Sequence, residues 1–217
     1  MIPVVFDLDG TLIDSLPNVT DAANALLSDE GLQPLGPEIV AGFVGLGERV
    51  FLDRLIATTG LATTDYDRLM GQYMRHYKVA AEDTRLFPGV RRMLDSFHDA
   101  GVPLALCTNK PSAALTPTLK AAGLDRAFAS VVAGDALPRR KPDPMPVHHI
   151  LSELAAETCL YVGDSETDAE TAHRADVPFV LFTEVIRQRP VDEIPHTAAF
   201  SEFGELLGIY ERLTRKS

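Results

Sequence analysis

The chain has 217 residues, 46% of them hydrophobic, which is enough to bury a core in one large domain or two small ones and excludes disorder as the default. Its 20 basic and 31 acidic residues leave a formal charge of -11, which opposes non-specific attraction to nucleic acid or to an anionic membrane, so an anionic ligand needs a local cation. No apolar run approaches the ~18 residues of a spanning helix, and the opening Met1 to Gly10 has neither a basic leader nor a secretory apolar region. The expectation is a cytoplasmic monomer or homodimer with no nucleic-acid and no membrane partner.

In chain order, Ile2 to Phe6 is a short apolar run that reads as a buried parallel strand, and it ends at Asp7-Leu-Asp9-Gly-Thr11. About 70 residues then pass before the next strand, far longer than a usual connection, so Asp14 to Glu82 must hold its own structure. Helical patterns run over Ser15 to Asp29, Pro37 to Val44, Glu48 to Thr59 and Asp65 to Ala80, broken at Gly31, Pro34, Gly45, Gly47 and Gly60. Beyond them, strand-like runs at Val102 to Cys107, Ser130 to Ala133, Cys159 to Val162 and Phe179 to Phe182 alternate with helical patterns. Those helices are Val90 to Ala100, Ser112 to Ala122, Pro144 to Ala155 and Thr167 to Ala175, and Glu202 to Leu213 closes the chain. The alternation predicts an α/β fold, a doubly wound, Rossmann-like parallel sheet built from residues 1–14 and 83–217, with 15–82 inserted as a small α-helical cap domain. Cys107 and Cys159, each in a strand-like run, are expected to be buried structural thiols.

Four polar clusters each follow one of these strands: Asp7-Leu-Asp9-Gly-Thr11, Thr108-Asn109-Lys110, Lys141 in an Arg-Arg-Lys-Pro loop, and Gly163-Asp164-Ser165-Glu166-Thr167-Asp168. In an open α/β sheet, residues that follow strands converge at the carboxyl-end crevice, so one site can contain all four. Its carboxylates outnumber its cations and are unstable together unless a cation neutralises them. Mg²⁺ suits a few carboxylates with backbone oxygen, water and substrate phosphate.

The four clusters match, in order and spacing and over essentially the whole chain, the four motifs of the haloacid-dehalogenase-like superfamily, and the chain resembles that superfamily's phosphatases. The resemblance implies that Asp7 attacks phosphorus to form an aspartyl phosphate and that Asp9 serves as acid and then base. It also implies that Thr108 and Lys141 stabilise the transferring phosphoryl group, and that Asp7, Asp9 through its carbonyl, Asp164 and Asp168 surround the metal, Asp168 either as a ligand or as a support. Thr11, Asn109 and Lys110 are further candidates for substrate binding. Asp9 argues for phosphoryl transfer rather than dehalogenation, the absence of lysine from residues 14–77 against phosphonate hydrolysis, and the absence of histidine from Asp14 to Asp29 against a β-phosphoglucomutase-like phosphomutase. A non-catalytic phosphate-binding module is the alternative of a different class.

The segment Phe43-Val-Gly45-Leu-Gly47-Glu-Arg49 and the stretches Leu86 to Val90, Cys107 to Pro111 and Arg140 to Pro144 resemble phosphoglycolate phosphatases, which makes 2-phosphoglycolate the expected small phosphate ester. Backbone N–H groups of Gly45 and Gly47 could then approach a short anion, and Arg49 could pair with its carboxylate. Two departures stand out. Ala175-Asp176 occupies the place of a usual glycine, and the tract from Thr183 to Arg189 lacks the family's glycine-rich stretch.

Overall fold

The computed structural model describes residues 1–61, 65–185 and 189–215; Ile186, Arg187 and Gln188 of the tract just mentioned lie outside the described residues. Six parallel strands form the central sheet: β1 (Val4–Phe6), β4 (Leu104–Cys107), β5 (Ser130–Val132), β6 (Leu160–Gly163), β7 (Phe179–Phe182) and β8 (Ala198–Phe200). Their order is β5-β4-β1-β6-β7-β8, so the first strand lies inside the sheet with β4 and β6 on either side. A three-residue run of Val-Val-Phe suffices there because both of its faces are covered. Successive side chains point to opposite faces of a strand. Val4 and Phe6 join Leu104, Leu106, Leu160 and Phe182 in one apolar layer under α5 (Val90–Asp99), α6 (Ser112–Ala121) and α9 (Leu206–Thr214). Val5 joins Ala105, Cys107, Tyr161 and Leu181 in the other, under α7 (Met145–Glu153) and α8 (Glu166–Arg174). This is the doubly wound sheet that the alternation of elements predicts.

Between β1 and β4 the chain builds α1 (Leu16–Asp29), α2 (Pro37–Ala41), α3 (Glu48–Thr59) and α4 (Tyr66–Ala80). Proline in the first turn, where its missing N–H costs no hydrogen bond, starts α1 and α2. The apolar faces of these helices gather into a cluster of their own, with Leu26 and Leu27 of α1, Phe51 and Leu55 of α3, and Leu69, Tyr73 and Tyr77 of α4. Phe51 stacks on Tyr73 with ring centroids 4.9 Å apart. Where the chain leaves for this insert and where it returns, two short strands, β2 (Ile13–Asp14) and β3 (Arg85–Leu86), pair antiparallel.

Several boundaries differ from the sequence reading. The edge strand β8 was not expected: Ala-Ala-Phe offers no β-branched run, and among the described residues it pairs on one side only, with β7. The helix expected over Pro37 to Val44 stops at Ala41, capped by Gly42. The last helix is preceded by a short 3-10 turn, Phe203–Glu205, whose start is fixed by reciprocal bonds between Glu202 and Glu205. Asp176, in place of the usual glycine, takes a left-handed φ of 55°, a conformation that aspartate tolerates better than most residues, so the turn after α8 is kept. Cys107, on β4, and Cys159, just before β6, are free and buried, and β1 lies between those two strands; burial pushes both thiols up to about 12, which leaves them unreactive. Among the described residues no helix is long and apolar enough to cross a membrane.

Candidate active site

Because the strands are parallel, their carboxyl ends open on one edge, and the chain places a polar cluster after β1, β4 and β6 there. Asp7 leaves β1 with its backbone N–H donating to Val162 of β6 at 2.9 Å, and its side chain is buried. The loop that follows turns tightly at Gly10, whose φ of 83° favours glycine. A Cβ on Gly10 would lie 2.6 Å from a carboxylate oxygen of Asp164, so only glycine lets the two segments approach this closely. Thr11 then donates its hydroxyl to Asp164 Oδ1 at 2.7 Å. The β4 end is packed just as tightly: Gly134 N–H donates to the Lys110 carbonyl at 2.9 Å, and a Cβ on Gly134 would meet the Asn109 carbonyl oxygen at 2.1 Å.

Lys141 is the electrostatic centre of the cluster. Its Nζ lies 2.7 Å from Asp7 Oδ1 and 2.8 Å from Asp168 Oδ1, and it is almost fully buried. Burial works against the ammonium, yet Asp168 and Asp7 outweigh it and hold Lys141 protonated well above the ordinary lysine range. Asp168 has no exposure and both of its oxygens are engaged: Oδ1 accepts from Lys141 and Tyr161, and Oδ2 accepts from the Ser165 hydroxyl at 2.6 Å and from the backbone N–H groups of Ser165 and Asp164. These bonds include the reciprocal cap that starts α8. Asp168 is thus spent on orienting Lys141 and the Asp164 backbone.

Oxygens of Asp7, Asp164 and Asp168 all lie within 4.8 Å of one another. Burial, and then the charges of Asp168 and Asp7, push Asp164 well above the usual carboxylate range. Burial likewise raises Asp7, with Lys141 opposing. Three carboxylates against one ammonium form a set that a divalent cation would relieve, and an all-oxygen donor set fits a hard cation.

Asp7 and Asp9 also face a cavity whose remaining walls come from both halves of the chain: Thr108, Asn109, Lys110 and Lys141 from the sheet side, and Val19, Phe43, Val44, Gly45, Gly47, Glu48, Phe51, Tyr73 and Tyr77 from the insert. Thr108 is buried and its Oγ1 accepts the Lys110 backbone N–H at 3.1 Å. The Asn109 amide is spent on two carbonyls, Gly45 at 3.0 Å and Lys141 at 3.1 Å, which ties the glycine loop to the sheet. Among the described residues its buried Oδ1 has no partner. Lys110 Nζ donates to Asp9 Oδ1 at 2.8 Å and to the Tyr77 hydroxyl at 2.5 Å. Asp9 and Tyr77 hold Lys110 charged against its burial.

The structure brings Asp7, Asp9, Thr108, Asn109, Lys110, Lys141, Gly45 and Gly47 to this cavity, and Thr11, Asp164 and Asp168 beside it. It does not bring Arg49 there. That side chain is exposed, with its guanidinium 5.7 Å from the Tyr66 ring centroid. Helical neighbours differ in direction by about 100°, and the residue turned to the cavity is Glu48, where burial pushes the carboxyl up to about 7 against the pull of its own backbone N–H, Lys110 and Arg140. The sequence reading did not single out Glu48, Tyr73 or Tyr77. The last two follow Leu69 at four-residue intervals on one face of α4, the signal that pointed to them.

A family model described as haloacid dehalogenase-like hydrolase matches residues 4–182. The chain is 42% identical to the phosphoglycolate phosphatase of Cereibacter sphaeroides strain ATCC 17025, over 97% of this chain and 98% of that one. It is 38% identical to the phosphoglycolate phosphatase of Rhodobacter capsulatus, over 97% of each. Among solved structures, a protein from Haemophilus somnus 129PT, predicted to be a phosphoglycolate phosphatase, superposes with a TM-score of 0.90 at 29% identity, covering 97% of this chain and 98% of that one.

Proposed function

For a chain that belongs to the haloacid dehalogenase-like hydrolases and is a phosphatase, we propose hydrolysis of a small phosphate ester, 2-phosphoglycolate first among them, through an aspartyl phosphate on Asp7. The observation that carries the reading is the pairing of the two aspartates with separate lysines in one cavity, Asp7 with Lys141 at 2.7 Å and Asp9 with Lys110 at 2.8 Å. Two carboxylates in different electrostatic surroundings suit two different tasks.

An Asp7 oxygen attacks phosphorus in line, the bond from phosphorus to the ester oxygen breaks, and Asp9 delivers its proton to that leaving oxygen. Asp9, now a carboxylate, takes a proton from water as the water attacks the aspartyl phosphate, which releases inorganic phosphate and restores Asp7. Thr108 donates to a non-bridging oxygen and Lys141 offsets the charge that grows there. Asp7, Asp164 and the Asp9 carbonyl would hold Mg²⁺, which when bound supplies positive charge to the phosphoryl oxygens. Asp168 and Thr11 keep those groups in place. Residues 15–82 act as a cap over a core of 1–14 and 83–217, and Asn109 ties the cap's glycine loop to that core. The reading places the enzyme in the cytoplasm, with no nucleic-acid or membrane partner.

The test is release of inorganic phosphate from 2-phosphoglycolate and a panel of small phosphomonoesters, with and without Mg²⁺, for the parent and for Asp7→Asn. Metal-dependent release that the variant lacks is expected. Release that survives Asp7→Asn refutes the nucleophile, and silence across the panel refutes the phosphatase mechanism.

A further inference from the structure

Tyr77 belongs to α4 of the insert, yet its hydroxyl reaches the polar floor of the cavity and accepts a hydrogen bond from Lys110 Nζ at 2.5 Å. The same ammonium donates to Asp9 Oδ1 at 2.8 Å, and its Nζ lies 4.8 Å from the centroid of the Tyr77 ring. Both side chains are buried, Lys110 7% and Tyr77 6% exposed, so little water competes for the bond between them. A lysine ammonium on a flexible stem stays at one point only if its donors are matched by fixed acceptors. Asp9 is one such acceptor. The other comes from a different part of the chain, anchored by the Tyr73 ring at 6.1 Å and by the packed faces of the inserted helices.

We propose that Tyr77 is a positioning residue: its hydroxyl holds the Lys110 ammonium against Asp9, so that the charge left on Asp9 when it gives up its proton is met at once by a fixed cation. The inference rests on the acid role of Asp9 proposed above. Without the hydroxyl, Lys110 keeps the face of the aromatic ring but loses the acceptor that fixes its direction. The benefit falls on the step in which Asp9 releases its proton to the leaving oxygen, which is what separates it from a packing role.

Phenyl phosphate and p-nitrophenyl phosphate test it, because they have nearly the same shape while p-nitrophenolate departs with little help from an acid. Tyr77→Phe keeps the ring and removes the oxygen. It is expected to lower kcat on phenyl phosphate about tenfold, to leave kcat on p-nitrophenyl phosphate within about twofold, and to change neither substrate's KM more than about twofold. In a Lys110→Met background, Tyr77→Phe is expected to add nothing further, since it acts through that lysine. Equal losses on both substrates, no loss on either, or full additivity with Lys110→Met would overturn the inference while leaving the phosphatase reading intact. Absence of release from both esters and from the panel of small phosphomonoesters by the parent enzyme would refute the phosphatase reading and this inference with it.

Discussion

Replacing Glu48 with glutamine isolates the acidic group that the inserted helices place against the cavity. Burial raises the Glu48 carboxyl from an ordinary 4.5 to about 7. Below 4.5 the folded and unfolded chains both carry the proton. Between 4.5 and 7 the folded chain keeps a proton that the unfolded chain has released, so stability falls as pH rises, and above 7 the loss is complete. At about 1.4 kcal/mol per unit of pH the loss over this window is about 3 kcal/mol, and partial solvent screening brings it toward ~2 kcal/mol. Glutamine has nearly the same shape and does not titrate. Glu48→Gln is therefore expected to be about 2–3 kcal/mol more stable than the parent at pH 8 and nearly equal to it at pH 4. Urea unfolding followed by circular dichroism at the two pH values measures this, with a chelator present so that metal affinity does not enter. A difference between the variants that is the same at both pH values would refute the account of Glu48 as a desolvated acid.

Two other substitutions probe the acidic cluster. Thr11→Val removes the 2.7 Å bond to Asp164 Oδ1 while keeping the shape of the side chain, and is expected to raise the Mg²⁺ concentration for half-maximal phosphate release about tenfold; an unchanged metal titration would show that Thr11 serves only its turn. Lys141→Met leaves Asp7 and Asp168 without the ammonium that lies 2.7 Å and 2.8 Å from them, and is expected to cost about 3–5 kcal/mol in urea unfolding as well as abolishing turnover. A loss below about 1 kcal/mol would mean that the two carboxylates neutralise each other by sharing protons.

The parts of the molecule that were legible in the sequence are those where local chemistry is decisive. A Val-Val-Phe run followed at once by Asp7 and Asp9, and a Leu-Tyr-Val-Gly run followed by Asp164, announce a strand and its polar end, because a strand covered on both faces admits few polar residues. Ala198–Phe200 gave no such signal: three residues on the edge of a sheet draw their stability from the neighbouring strand rather than from their own composition. The choice between Glu48 and Arg49 was beyond local reasoning for a different cause. Which of two adjacent helical residues faces a cavity depends on the rotation of the whole helix, and that is set by Phe51, Leu52 and Leu55 entering the apolar cluster of the insert, where Phe51 stacks on Tyr73. The meeting of Tyr77 with Lys110 spans 33 positions, and nothing near either residue in sequence encodes it.

The antiparallel pairing of Ile13 with Leu86 and of Asp14 with Arg85 means that everything between them departs from and returns to almost the same point, about 5 Å apart, the spacing of neighbouring strands. A separation that small is what a two-residue hairpin turn closes in other proteins. The helical insert is in this sense topologically detachable. The sheet and its acidic edge would be threaded the same way whether that point carried a short turn, these helices or a larger domain. Variation in which molecules reach the aspartates can accumulate on one side of this clasp, while the strands that hold those aspartates keep their connections on the other.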